Sequence, residues 1–560
     1  MTQDSYVHHS LCANCQQPGT ATCAGCRLVT YCDKQCQSVH WSTHKTDCRS
    51  PLRAKTWQPR WVVEQREPRW AVTKDVPSSQ AQYLWGNMVA LDILQLKNNE
   101  GETYAEDLKL LFAASGDPRN VLKTLADMPP SYEGRLSVTM NDYDQHVVAR
   151  NAIILLLMVT VDNIEVVSEC ILHIWYSAFI RQVDLDLINR HVLPPIQEIC
   201  AMLEGKSAVS LHSVKWRIGR CTLRFTLAKA AWHMLLACLT VRPELTFEDA
   251  QQMRLAVVNR PEHQDSHDHT VIKMPPEYRP CKKKFREDGI VLPFGHSRET
   301  FVIPNPTLFR ASTWPIGRGE DPITSWDPAQ VMSTHCGNAT NDLTGKLHCH
   351  IRSHIWSAHH LSRKGADLEL FNLDAAKLST VLPQSVFARI ETSNLGDLYF
   401  LGPAATVGCL SPFLQARNVN PFATLITFFL GAVMDARHLR TPDPVLESQN
   451  LQDGYSRLRQ YQVMADMFKK REAYRPIVAS ALGYALDHES SFAVYYQSMD
   501  FQQTASQNGL NIKTQNTITE KWPFKLKLKK GDPGFDEEFN ALFASGHWGP
   551  ETYVEWAKAD

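Results

Sequence analysis

Asp107-Leu108-Lys109-Leu110-Leu111-Phe112-Ala113-Ala114, continued by Ser115-Gly116-Asp117-Pro118-Arg119-Asn120, decides how the body of this chain is read. The apolar run reads as a buried strand and the Ser-Gly-Asp-Pro stretch as a tight turn. Val121, Leu122 and Leu125 then open a helix, with Asp117 as its N-cap and Pro118 at the first helical position. A second strand is expected from Leu136 to Met140, ending in Asn141-Asp142, and a strongly apolar helix from Gln145 to Val161. Farther along, Val386 to Thr392 reads as a strand, Ser393 to Asp397 as a loop, Tyr399 to Leu414 as a helix and Ala423 to Leu430 as another strand. These fit one parallel sheet interrupted by a long helical insertion.

Strand, glycine turn, helix, strand and acidic residue is the order of a nucleotide-binding βαβ unit. There the helix N-terminus attracts anions and the acid holds ribose hydroxyls. Ser115, Gly116 and Asp142 are therefore the candidate cofactor-binding residues, with Thr392-Ser393-Asn394 across the same crevice. S-adenosylmethionine is the cofactor considered. The fingerprint wants three glycines and this turn offers one, so a scaffold whose crevice is filled by its own side chains is the preferred reading.

The N-terminus carries a different chemistry. Cys12, Cys15, Cys23, Cys26, Cys32, Cys36, His44 and Cys48 form C-x2-C-x7-C-x2-C-x5-C-x3-C-x7-H-x3-C. Pairs two or three residues apart are what one knuckle or helical turn can aim at a single zinc ion, and eight ligands close two tetrahedral sites. Closed sites are structural, since a catalytic zinc keeps a position for water. Spacing allows either sequential or interleaved pairing. A segment this short buries little core, so metal binding is expected to supply most of its folding energy and the finger to be unfolded without zinc.

The run Tyr31-Cys32-Asp33-Lys34-Gln35-Cys36-Gln37, then Trp41, His44-Lys45 and Cys48, resembles the MYND zinc finger. The resemblance implies interleaved ligands: Cys12, Cys15, Cys32 and Cys36 on one zinc, and Cys23, Cys26, His44 and Cys48 on the other. It also implies a proline-containing peptide as partner, with Gln37 and Trp41 as the platform. Ala24 stands where some peptide-binding members carry a hydroxyl, and Trp41 could instead pack its helix onto the zinc core. His40 lies outside the ligand pattern and reads as a surface residue.

Trp85 to Val161 resembles a domain of undescribed function shared by the N-terminal region of a dynein axonemal assembly factor family and many fungal MYND proteins. Asp92-Ile93-Leu94, Asn99-Glu100-Gly101, Leu111 to Val121, Asn141-Asp142 and Ala149-Arg150-Asn151 carry the likeness. Its strand order resembles a Rossmann, methyltransferase-like fold with an eroded cofactor loop. Lysine methyltransferases that pair MYND with SET are set aside, because no SET-like Asn-His-x-Cys motif is present.

The fold class expected is thus a small two-zinc finger followed by a large α/β body. The expected divisions are 1–50 finger, 51–80 linker, 81–163 first βαβ part, 164–380 helical and irregular insertion, 381–435 later strands and 436–560 a mainly helical region. Pro51, Pro59, Pro68 and Pro77 break the linker, and its Trp57, Trp61 and Trp70 are expected to dock on the body. Within the insertion, a helix is expected over about Cys221 to Leu239 and irregular chain from Arg242 to Pro383. The last segment, Phe535 to Lys558, reads as mainly helical.

A net charge of −1 over 560 residues gives no general case for nucleic acid or membrane binding. The longest apolar run, Ala152 to Val161, stops at Asp162, short of a membrane span. A polar Met1 to Leu11 and scattered cysteines beyond the finger (Cys170, Cys200, Cys221, Cys238, Cys281, Cys336, Cys349, Cys409) suit reduced thiols inside the cell, in cytoplasm or nucleus. Lys282-Lys283-Lys284-Phe285-Arg286 reads as a solvated basic loop, and Lys525 to Lys530 as a lysine-protected edge strand. His263 to His269, and His335, Cys336, His348, Cys349, His350 and His354, are ligand-rich without a recognised zinc spacing. The function expected is zinc-dependent protein–protein interaction or scaffolding, with no catalytic residue assigned. An S-adenosylmethionine-dependent methyltransferase is the alternative.

Overall fold

The computed structural model describes residues 6, 8, 10–72, 83–317, 321–441, 443–469 and 472–559. Pro77 and residues 73–80 of the expected linker lie outside them.

The body is built on a nine-stranded mixed sheet. Its strands are β1 (Leu108–Phe112), β2 (Leu136–Asn141), β3 (Leu211–Ile218), β4 (Cys221–Ala228), β5 (Ala366–Phe371), β6 (Arg389–Glu391), β7 (Thr424–Phe429), β8 (Leu510–Ile512) and β9 (Thr552–Lys558). The spatial order is β8-β9-β7-β6-β1-β2-β5-β4-β3. Pairing is parallel from β4 through β7, and antiparallel where β9 meets β7 and β8 and where β3 meets β4. Central strands are covered on both faces: every residue of β7 is buried, and in β1 only Lys109 is exposed.

The helices used below are α1 (Lys34–Cys48), α2 (Arg119–Ala126), α3 (Gln145–Thr160), α4 (Ile164–Tyr176), α5 (Lys229–Ala237), α6 (Phe247–Val258), α7 (Pro261–Lys273), α8 (Arg279–Asp288), α9 (Leu343–Gly365) and α10 (Phe535–Ser545). Strongly apolar from Ala152 onward, α3 is buried along nearly its whole length, its buried Arg150 and Asn151 satisfied by hydrogen bonds to the Trp175 and Gly116 carbonyls. Asp144 caps it, accepting from the N–H groups of His146 and Val147 at 2.7 and 3.2 Å. No helix among the described residues is long and apolar enough to cross a membrane.

Several expectations need correction. The stretch Cys221 to Leu239 is not one helix, because Cys221, Leu223, Phe225 and Leu227 alternate with Thr222, Arg224 and Thr226 at the period of a strand. It forms β4, hairpin-paired with β3, and only α5 is helical. Arg242 to Pro383 is far from irregular, since it holds α6 to α9 and β5. The insertion therefore adds strands to the sheet, as does the 436–560 region through β8 and β9. After α10, Gly546 and Gly549 at φ +85° and +101° stop the helix and turn the chain into β9.

Lys525 to Lys530 alternates as expected but pairs with no strand. Leu526 is buried and donates its N–H to the Tyr484 carbonyl at 2.9 Å, while Lys527 and Leu528 donate to Glu538 of α10. Lys282 to Arg286 lies in α8 rather than a loop, and Lys282 is buried. Asp117 is not an N-cap. Its carboxylate takes the Gly86 N–H at 2.7 Å, the Trp175 indole at 3.2 Å and the Arg119 guanidinium at 2.5 Å, pinning the 84–92 segment onto the β1–α2 turn.

The linker tryptophans are docked. Trp61 is fully buried, donates to the Ala473 carbonyl at 3.2 Å and meets Trp70 edge-on, while Arg279 lies over Trp57. The acids of the His263–His269 cluster are spent on this linker. Asp265 holds Arg66 through two bonds of 2.6 and 2.8 Å, and Asp268 accepts the Arg60 N–H. Cys336 and Cys349 form a disulfide, against the expectation that all thiols outside the finger are reduced.

Candidate metal centre

Residues 12–48 fold around their ligands. The first knuckle closes with the Gln16 N–H on the Cys12 carbonyl at 2.9 Å, Gln16 standing in the left-handed region at φ +58°. The second repeats it, with Arg27 at φ +57° donating to the Cys23 carbonyl at 2.8 Å. A short antiparallel ladder, Ala21–Thr22 against Thr30–Tyr31, joins the knuckles. Asp33 caps α1 by accepting the Cys36 N–H at 2.7 Å. Four residues apart, His44 and Cys48 share the buried face of that helix.

The donor atoms gather into two groups, Cys12/Cys15/Cys32/Cys36 and Cys23/Cys26/His44/Cys48, all within 4.8 Å of one another in each. This is the interleaved arrangement. Tetrahedral zinc with Zn–S bonds near 2.3 Å places two sulfurs about 3.8 Å apart, and a sulfur and a nitrogen about 3.6 Å apart. The Cys15–Cys32 and Cys23–Cys48 sulfurs stand 3.7 and 3.8 Å apart, and Cys26 Sγ lies 3.3 Å from His44 Nε2. These separations fit tetrahedral zinc, and the two donor groups are consistent with two zinc ions.

Local electrostatics suit His44 and Cys12 to the metal, whereas burial raises the Cys26 and Cys48 thiols, which a bound cation would have to offset. Burial pushes the His44 imidazole down to about 4, with positive charge at His40, Lys284 and Arg53 adding to it, so a neutral ring presents its lone pair. Burial raises the Cys12 thiol, but the N–H groups of Cys15, Cys32 and Asn14 aimed at its sulfur outweigh this and bring it to about 7. His40 is not a free surface residue. It bonds the Tyr31 hydroxyl at 3.0 Å and stacks on His44 with ring centroids 5.7 Å apart, fixing the ligand ring from outside.

The finger is seated on the body by its knuckle side. Gln16 gives its side-chain N–H to the Gly295 carbonyl at 3.2 Å and takes the Ser297 N–H at 3.0 Å. Asn338 exchanges bonds with Thr20 and Thr22, and Asn341 bonds the Cys26 and Arg27 carbonyls at 2.8 and 3.0 Å. A Cβ on Gly295 would stand 3.1 Å from that of Ala13, so the contact is close enough to favour glycine. Gln37 and Trp41, four residues apart on α1, are half-buried; Trp41 packs against the core and edge-on to His44 with centroids 6.1 Å apart, and the Arg49 guanidinium lies 5.4 Å from its ring.

At the crevice, the structure brings Ser115, Gly116 and Asp142 together beyond the ends of β1 and β2. Gly116 donates its N–H to Asp142 Oδ2 at 2.9 Å, and the other Asp142 oxygen takes the Asp144 N–H at 2.9 Å. Ser115 turns its hydroxyl toward the Gly116 carbonyl and its N–H to the Asn141 carbonyl. Across β6, Ser393 sits at φ +50° and donates to Glu391 at 2.6 Å. A cavity of about 1160 Å³ lies elsewhere, between Lys273, Val433, Leu482 and His547.

Glu391 is buried with one carboxylate oxygen unpartnered, and burial pushes its pKa up to about 7. Its folded value lies above the ordinary carboxylate range, so its stabilising contribution is full below about 4.5 and lost as pH rises through 7. Glu391→Gln is expected to raise stability at pH 8 by about 2–3 kcal/mol and to flatten the fall in melting temperature between pH 5 and 8. Parallel melting curves for the two proteins at every pH would refute this.

Comparison with known families places this geometry. Residues 12–48 match the MYND finger and residues 84–180 match a domain of unknown function, DUF4470. Ubiquitin carboxyl-terminal hydrolase 17 of Arabidopsis thaliana is 49% identical over 41 residues, 7% of this chain and 6% of that protein. N-lysine methyltransferase SMYD2 of Mus musculus is 34% identical over 57 residues, 10% of this chain and 13% of that protein. The chain thus spans only a small part of these relatives' length. No solved structure matches it. MYND fingers are zinc-binding protein-interaction modules, and with both donor quartets assembled this chain is a MYND-type zinc-finger protein carrying a DUF4470 domain.

Proposed function

We propose that this protein is an intracellular interaction or scaffold protein whose finger recruits a proline-containing peptide through Gln37 and Trp41. One observation carries this reading: the body grips the finger by Gln16, Thr20, Thr22, Cys26 and Arg27, leaving the Gln37–Trp41 face of α1 half-exposed. A tryptophan so placed offers its ring to a proline and its indole N–H to a carbonyl. The body then acts as a rigid mount that fixes where the peptide is held.

The methyltransferase reading draws on the strand order β5-β2-β1-β6-β7, which reverses direction at β1 as a doubly wound Rossmann sheet does. Against it stands the spending of groups a cofactor would need, since Gly116 N–H and Asp142 carboxylate bond each other.

The test is calorimetric titration of the zinc-loaded full chain with proline-containing peptides selected on an array. Trp41→Ala should weaken the best peptide at least tenfold, about 1.4 kcal/mol or more, while both zinc ions stay bound. Unchanged affinity in Trp41→Ala sinks the platform. Micromolar S-adenosylmethionine binding that Asp142→Ala abolishes would put the methyltransferase reading in its place.

A further inference from the structure

Beneath the finger, α4 and α9 bring together three side chains that belong to no site described so far. Glu169 and His173 stand four residues apart on α4, and His348 faces them from α9. Their donor atoms lie within 4.8 Å of one another. Glu169 Oε1 is 3.7 Å from His173 Nε2 and 3.9 Å from His348 Nε2. His173 is fully buried and His348 is 2% exposed. His173 Nε2 and both ring nitrogens of His348 have no hydrogen-bond partner. A buried polar atom left unpaired is costly, and here several point into one place.

We propose that Glu169, His173 and His348 form a third metal site, for a divalent first-row transition ion such as zinc or iron(II). Two imidazoles and a carboxylate are a donor set such ions take, and three protein ligands leave coordination positions open for water or a small ligand. Donors bound at about 2.1 Å are separated by about 3.4 Å in a tetrahedral site, so the two Glu169–imidazole distances need to close by only a few tenths of an ångström. The surrounding bonds suit the role. His173 Nδ1 is held by the Ser177 hydroxyl at 3.0 Å, which orients Nε2 toward Glu169.

The cation now beside the carboxylate is Arg181, 3.3 Å from Glu169 Oε1, and it is independently satisfied by two bonds to Asp184 at 2.8 and 3.0 Å. Arg352, also nearby, is paired with Glu165 at 2.7 Å. An incoming ion can therefore take Glu169 without stranding either arginine. The alternative is a metal-free network in which Arg181 pairs with Glu169 and the His173 and His348 rings complete the contact as protonated or hydrogen-bonding partners.

The deciding experiment is metal counting by plasma mass spectrometry on the full chain, dialysed after loading with zinc or, anaerobically, with iron(II). The site predicts one metal ion beyond the two of the finger, lost in His348→Gln and in Glu169→Gln. Glu169 is partly exposed, so its amide variant tests the site should His348→Gln fail to fold. Cys26→Ser should cost a finger zinc and leave the third ion, and Cys336→Ser should leave all three, separating this site from the neighbouring sulfurs. A wild-type chain that takes no ion beyond the finger's two with either metal, or a third ion that survives both amide variants, overturns the proposal.

Discussion

Cys26→Ser is expected to release one zinc ion and unfold the finger while the α/β sheet stays assembled. Cys26 is completely buried, its sulfur lies 3.3 Å from His44 Nε2, and the Leu28 N–H points at it from 3.4 Å. A structural zinc in so small a module is worth on the order of 10 kcal/mol, far more than the buried apolar residues of the finger can supply. The effect does not end there, because the Cys26 carbonyl is also a docking point for Asn341. Losing the knuckle frees Asn341, Asn338 and Gly295 together, so the finger's protection from protease is lost as a unit. Zinc content and limited proteolysis check this together. A chain that keeps both zinc ions, or one whose finger stays protease-resistant after losing one, would contradict it.

The second large effect concerns the body. Arg389 of β6 and Glu100 form an ion pair of 2.6 Å with side chains 0% and 1% exposed. Arg389 also bonds the Leu94 carbonyl at 3.2 Å, and the second Glu100 oxygen takes the Asn420 amide at 3.1 Å. Arg389→Met leaves Glu100 buried with its charge uncompensated, at a cost of about 3–5 kcal/mol. Adding Glu100→Gln should recover much of that, because the loss comes from the stranded charge more than from the bond. The exposed pair Arg135–Asp367, 50% and 27% exposed, gives the contrast: Arg135→Met should cost less than about 1 kcal/mol. Melting temperatures of the three variants against wild type decide it, and equal losses at the buried and exposed pairs would refute the argument.

How much of this was legible depended on what each segment buries. β1 and β7 were readable because both faces are covered and the sequence is a nearly continuous apolar run. β2 was readable from the alternation of Leu136, Val138 and Met140 with Ser137 and Thr139, and β6, only Arg389-Ile390-Glu391, from the apolar Val386, Phe387 and Ala388 that lead into it. The ligand pattern of the finger was readable because zinc fixes the spacing. β9 was not, since Glu555 stands in its middle, buried, accepting the N–H groups of Thr517, Ile518 and Thr519. A carboxylate that serves as an interior acceptor breaks the apolar pattern that marks a strand. α9 was hidden for a related reason: its buried face carries His348, His350, His354 and His359, so its periodicity is not hydrophobic.

The docked finger and the Glu169–His173–His348 cluster join segments 175 to more than 300 positions apart, which no local pattern reports. The crevice loops were placed from the sequence, but the bond between Gly116 and Asp142 needed the fold to bring two strand ends together.

The measurement that bears most directly on the account is hydrogen–deuterium exchange of the zinc-loaded full chain, with and without an array-selected proline-containing peptide. Slowed exchange over 34–48, centred on Gln37 and Trp41, with no change at 113–120 or 391–394, is the result predicted. Protection at the crevice, or along the Gly295–Asn341 side that holds the finger, would contradict it.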